Sequence, residues 1–144
     1  MSTTTTQVVG TIQSLLTTEL NSLANNALAL GSAITLTSAG YLMGEVELVV
    51  TFGVAPTAST GCSVWFLRDI DGTNYEDGGS SLTPARAPDL VIPVNASTSA
   101  QRITRRCLLP PGTFKALLKN DGTGVAMAAS GNTLKVLPST YSSV

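Results

Sequence analysis

The sequence predicts a mainly β protein, an antiparallel sandwich built around one core. Three observations carry that expectation. Short segments with apolar residues at period two recur along the chain, and turns rich in Gly, Pro, Asn and Asp separate them. The apolar content is aliphatic: 43% of the 144 residues are hydrophobic and only 5% aromatic. That length suits a single core of two packed layers.

From the N-terminus, residues 1–6 form a polar Thr run and read as an arm. Residues 7–25 then change period. Val9, Ile12, Leu16, Leu20 and Leu23 recur every three or four residues, which predicts a helix. Thr11, Thr18, Asn21, Ser22 and Asn25 fall on its opposite face, with Glu19 as the only charge. Such a helix has no charged pairs of its own and depends on packing, against the sandwich or against a sister subunit. Residues 1–26 are thus expected to form an N-terminal helix or arm, and residues 27–144 a single β-sandwich domain.

Residues 27–37 read as extended. Tyr41–Phe52 is the clearest strand, with Val46, Leu48, Val50 and Phe52 on one face and Glu45, Glu47 and Thr51 on the other. Cys62–Ile70 is almost continuously apolar, as in a strand buried on both faces. A long irregular stretch, 71–88, follows. Asp89–Asn95 and Gln101–Leu108 are further strands. Leu109–Pro138 reads as three short strands in an antiparallel meander: Phe114, Ala116 and Leu118, then Val125–Ala129, then Leu134 and Val136. Turns at Pro110-Pro111-Gly112, Asp121-Gly122 and Ser130-Gly131-Asn132 separate them. Ser139–Val144 reads as a tail. One helix and seven or eight strands fit an antiparallel β-sandwich of jelly-roll type, with an immunoglobulin-like sandwich as the alternative.

Composition excludes several kinds of chemistry. The chain has no histidine, which removes the commonest general base and every imidazole metal ligand. Two cysteines, Cys62 and Cys107, are too few for a zinc site and read as core thiols, with a bridge between them as the alternative. A formal net charge of −1 offers no field for nucleic acid or an anionic membrane. No leader or membrane-spanning run is evident, so synthesis in the cytoplasm is expected. No carboxylate pairs with a nucleophile at a motif spacing, so no enzyme activity, cofactor or small-molecule substrate is expected. Only 12% of residues are charged, against roughly 25% in a typical domain, which favours a surface covered by neighbours.

The candidate positions are therefore interface positions. Gln7, Thr11 and Thr18 lie on the neutral N-terminal segment. Trp65 sits in an apolar strand and reads as core or subunit contact. Arg102, Arg105 and Arg106 form the one basic cluster. Strand parity puts Arg102 and Arg106 on one face with Thr104, and Arg105 on the other with Ile103 and Cys107. Arg105 is thus expected to face inward or towards an interface, where it needs a carboxylate such as Glu45, Glu47 or Asp89. The acidic loop RDIDGTNYEDGG has the composition of a calcium site but not its spacing, and reads as a turn in which Asp and Asn side chains satisfy backbone amides. Trp65 with Tyr75 is the only hint of a sugar platform.

Four stretches, LTTELNSLANNALALGSAI (Leu16–Ile34), ELVVTFGVAPTASTG (Glu47–Gly61), DIDGTNYEDGG (Asp69–Gly79) and LPPGTFKALLKNDGTGVAMAASGNTLKVLP (Leu109–Pro138), give the chain a family resemblance. It resembles small virion structural proteins of tailed bacteriophages and prophages. The resemblance implies a head-decoration (cement) protein, a jelly-roll homotrimer on the capsid surface, with the major capsid protein as partner. A tail or baseplate attachment protein and a carbohydrate-binding receptor module are the alternatives. The family brings no catalytic residues.

Overall fold

The computed structural model describes residues 3–36 and 40–143. Met1 and Ser2 of the expected arm, Thr37 at the end of the expected 27–37 segment, and Val144 lie outside the described residues. Nine strands follow in order: β1 (Thr5–Val9), β2 (Gln13–Leu16), β3 (Leu28–Thr35), β4 (Met43–Val50), β5 (Gly61–Arg68), β6 (Leu90–Pro93), β7 (Gln101–Leu108), β8 (Thr113–Asp121) and β9 (Thr133–Ser143). They form two antiparallel sheets. The first runs β1-β9-β4-β7, with β2 also pairing on β9, and the second runs β3-β8-β5-β6. The protein is mainly β, as a β-sandwich.

Period two decides which residues face inward. Val46, Leu48, Val50 and Phe52 from the first sheet meet Val64, Phe66, Phe114 and Leu118 from the second, all buried. Phe114 and Phe66 pack edge to face, 5.3 Å between centroids at 74°. Gly31 lets β2 cross closely over β3, because a Cβ there would collide with the Leu15 carbonyl oxygen. The chain passes from one sheet to the other after β2, β3, β4, β6, β7 and β8, so the core joins residues distant in sequence.

The helix expected over 7–25 is not formed. Its place is taken by β1, β2 and a single 3₁₀ turn, Thr18–Leu20. The apparent helical stripe is divided: Val9 and Ile12 are exposed, while Leu16, Leu20 and Leu23 are buried. Both Leu15 and Leu16 are buried because the β2–β9 register shifts between Ser14 and Leu16. Val8 and Val9 favour strands and Gly10 disfavours helix, so pairing with β9 wins over a weak local preference.

The meander expected over 109–138 is also corrected. Thr113–Asp121 belongs to the second sheet and Thr133–Ser143 to the first. Val125–Ala129 is not a strand; it crosses between the sheets, with an isolated bridge of Met127 to Phe52 as its one β-type pairing among the described residues. Side chains supply what a ladder would have given. The buried Asn120 amide donates to the carbonyls of Leu23 (3.1 Å) and Val125 (2.9 Å), and accepts the Thr123 hydroxyl at 2.6 Å. Asn132 accepts the Thr51 N–H at 3.0 Å and donates to the Ala128 carbonyl at 2.7 Å. Ser139–Ser143 is not a tail but the last part of β9, pairing with β1.

Phe114→Ala removes a fully buried ring at the contact between the sheets. It is expected to cost about 3–5 kcal/mol, read as a lowered midpoint in chemical denaturation; an unchanged midpoint would contradict this packing.

Candidate interaction surface

The outer face of the first sheet carries most of the candidate residues. Cross-strand register aligns Leu137, Glu45 and Arg106 in one row, and Lys135, Glu47 and Thr104 in the next. Arg106 pairs with Glu45 at 3.0 Å and Arg102 with Glu47 at 2.7 Å. These pairs lie in water and contribute little to stability. Arg105, expected to face inward or towards an interface, does not take the inward setting. Its register position is opposite Val46, yet its side chain is exposed and makes no ion pair among the described residues, because β7 is the edge of its sheet.

Toward the termini this face becomes apolar. Beyond Ser139, β9 leaves β4 and continues with β1 alone, register Gln7 to Tyr141 and Thr5 to Ser143. All five β1 residues and Tyr141–Ser143 of β9 are exposed, so the outer part of this two-stranded ribbon is open to solvent. Val8, Val9 and Tyr141 are its large apolar groups, Tyr141 being 61% exposed. At its base lies a groove of about 510 Å³ lined by Gln7, Val9, Met43, Glu45, Arg106, Leu108 and Tyr141. A second hollow next to it, about 400 Å³, is lined by Ile12, Glu47, Arg102 and Lys135.

The structure thus brings Gln7 and Arg106 to one groove and Arg102 to its neighbour. Thr11 is exposed in the β1–β2 link and Thr18 in the 3₁₀ turn, lining neither hollow. Trp65 lies on the other sheet, buried with Leu67 and Leu117 beneath the 69–89 loop, and its Nε1–H donates to the Arg86 carbonyl at 3.1 Å. Tyr75 packs on that cluster under the Lys115 ammonium, 4.2 Å from its ring centroid. The two aromatics therefore do not form an exposed platform. Tyr141, Leu108 and Met43 were not singled out by sequence. The period-two run Lys135, Leu137, Ser139 and Tyr141 is the signal that would have extended β9 to them.

The 69–89 loop also completes the edge of β5. Past Leu90, β6 no longer pairs with it. The Phe66 N–H donates to Asp89 Oδ2 at 2.7 Å, the Arg68 N–H to Glu76 Oε2 at 3.1 Å, and the Arg86 guanidinium to the Phe66 carbonyl at 3.0 Å. Arg86 binds Asp89 at 2.9 Å and Glu76 at 3.3 Å, locking the substitute partner together. Burial raises the Glu76 pKa, but the Arg68 N–H and the Arg86 charge outweigh it and leave the carboxyl below its ordinary value.

Neither thiol is bonded. Cys62 is buried in the second sheet, and Cys107 is half-buried in the first. Burial pushes Cys62 up to about 12 and Cys107 up to about 11, so neither is a reactive thiolate near neutrality. No cluster of metal-ligating side chains occurs among the described residues. The acidic loop is a turn. Asp71 Oδ1 accepts the N–H groups of Thr73 (2.8 Å) and Asn74 (2.7 Å), around Gly72 at φ 77°.

Those bonds, the Asn74 N–H first, hold the Asp71 carboxyl down at about 2 against an ordinary 3.8. The folded-state pKa is depressed, so this support for the turn is complete above the ordinary value and lost as pH falls through about 2. Carboxyl-carbon NMR should give Asp71 a midpoint near 2; a midpoint at 3.8 would mean the turn is open. No protein-family model matches this sequence, and comparison with curated proteins gives no significant match.

Proposed function

We propose that the sandwich is a jelly roll and that the chain is a structural virion protein of a tailed phage. In this reading it is a capsid decoration protein that sits on the head surface, binds the major capsid protein and stabilises the lattice as a homo-oligomer. The strand order supports the fold. With β1 and β2 counted as one position, β1/β2-β9-β4-β7 faces β3-β8-β5-β6, the order of an eight-position antiparallel strip rolled into two Greek keys. Fold alone does not assign function.

The observation that carries the functional reading is the terminal ribbon. It presents Val8, Val9 and Tyr141 to solvent on a two-stranded element with no core of its own, beside a groove that continues the apolar surface. Neither of its paired segments, Thr5–Val9 and Ser139–Ser143, carries a charge. Contact through it buries apolar area and forms hydrogen bonds without desolvating ions. Low overall charge and the four family-like stretches point the same way. The Arg102 and Arg106 pairs flank the contact as a rim.

The test uses heads assembled without this chain. Added protein should occupy sites in proportion to the capsid lattice, with occupancy nearly independent of ionic strength. Of the described residues, deleting 1–10 removes the exposed side chains of Thr3–Val9 and the half-buried Gly10. It should leave the melting temperature close to that of the full chain while lowering occupancy. Undiminished occupancy would remove the ribbon from the contact. Loss of wild-type binding in salt would move it to the arginines, and binding confined to the tail would favour an attachment protein.

A further inference from the structure

Strand edges expose unpaired backbone groups, and folded chains defend them with charge, proline, bulges or short length. Most edges of this sandwich are defended. β7 carries Arg102, Arg105 and Arg106. β6 has four residues and includes Pro93. The registers of β3 and β2 are broken, between Leu30 and Ala33 and between Ser14 and Leu16. β1 has none of these devices. Thr5-Thr6-Gln7-Val8-Val9 contains no charge and no proline, and it pairs residue for residue with Ser139–Ser143. Among the described residues nothing pairs with its other side. The ribbon it forms is also the kind of element that is marginal in water until further strands join it.

We infer that β1 pairs antiparallel with β1 of a second copy of this chain about a two-fold axis, joining two five-stranded sheets into one. The partner strand has to be uncharged, because the ribbon offers no countercharge, and β1 is itself such a strand. It is self-complementary in a register centred on Gln7. Thr5 then faces Val9 of the second copy, Thr6 faces Val8 of the second copy, and Gln7 faces Gln7 of the second copy. The outer pairs are β-branched, a favourable cross-strand combination. Gln7 already lies opposite Tyr141 on β9, so the row across the axis is tyrosine, glutamine, glutamine, tyrosine. Each two-stranded ribbon becomes half of a four-stranded sheet. An isologous contact of this kind closes on itself and leaves no open β1 edge to propagate. It uses the edge of the ribbon and leaves both faces to the lattice contact proposed above.

Charge at the axis tests this directly. The full chain, Gln7→Lys, Gln7→Glu and an equimolar mixture of the two variants are compared by sedimentation equilibrium at low ionic strength. Gln7 is exposed, so both variants should keep the wild-type fold, read by circular dichroism. The wild type should be a dimer. Each variant alone places like charges opposite one another and should associate at least about tenfold more weakly. The mixture should restore the dimer, because lysine then faces glutamate. A wild type that stays monomeric at its solubility limit, or sediments as a trimer, would overturn the inference. Variants that associate as the wild type does, or a mixture that fails to recover, would do the same.

Discussion

Backbone N–H and C=O groups at a strand edge need partners wherever water is excluded, and in this chain that need shapes the parts that packing alone leaves open. β5 is the central case. It is buried along almost its whole length, yet β6 covers only its first half. Without a partner, Phe66 and Arg68 would leave polar groups stranded beside the core, at a cost of about 1–3 kcal/mol for each unmade bond. Asp89, Glu76 and Arg86 take the place of the missing strand. The same clamp pulls the 69–89 loop over Trp65, Leu67 and Leu117, making a second small apolar cluster outside the main core.

The same principle operates where the chain crosses between sheets. Asn120, Thr123 and Asn132 are buried, and each is satisfied by neighbouring polar groups, tying residues 21–27 to the β8–β9 crossing. A chain with so few charges meets its buried polar demands through amides and hydroxyls, which carry a smaller desolvation penalty than ions. Its charged groups are left for edges and rims. What remains is a sandwich whose undefended β1 edge lies beside the exposed apolar side chains Val8, Val9 and Tyr141, the arrangement expected of a chain that works by contact.

Much of this was legible in the sequence, for a physical reason. In β4 and β8 one face is core and the other is not, so Val46, Leu48, Val50, Phe114 and Leu118 declare their direction by alternation alone. Alternation does not say which sheet a strand joins, so β8, residues 125–129 and β9 read as one meander although β8 and β9 lie in different sheets. The N-terminal segment misled because a bulge in β2 and exposed residues at Val9 and Ile12 produce apolar spacings that mimic a helix. For the surface, parity paired Arg102 with Arg106 correctly. It could not show that Arg105 sits at an edge, nor that β9 continues past Pro138 to bring Tyr141 beside Gln7.

Amide-resolved hydrogen exchange on the wild-type chain at neutral pH tests most directly whether charged side chains act as the missing strand. If Asp89 and Glu76 hold the β5 edge, the Phe66 and Arg68 amides should be protected to a degree comparable with Val64, which lies opposite Leu90 of a true strand. Exchange of Phe66 and Arg68 at unprotected rates, with Val64 still slow, would contradict the account.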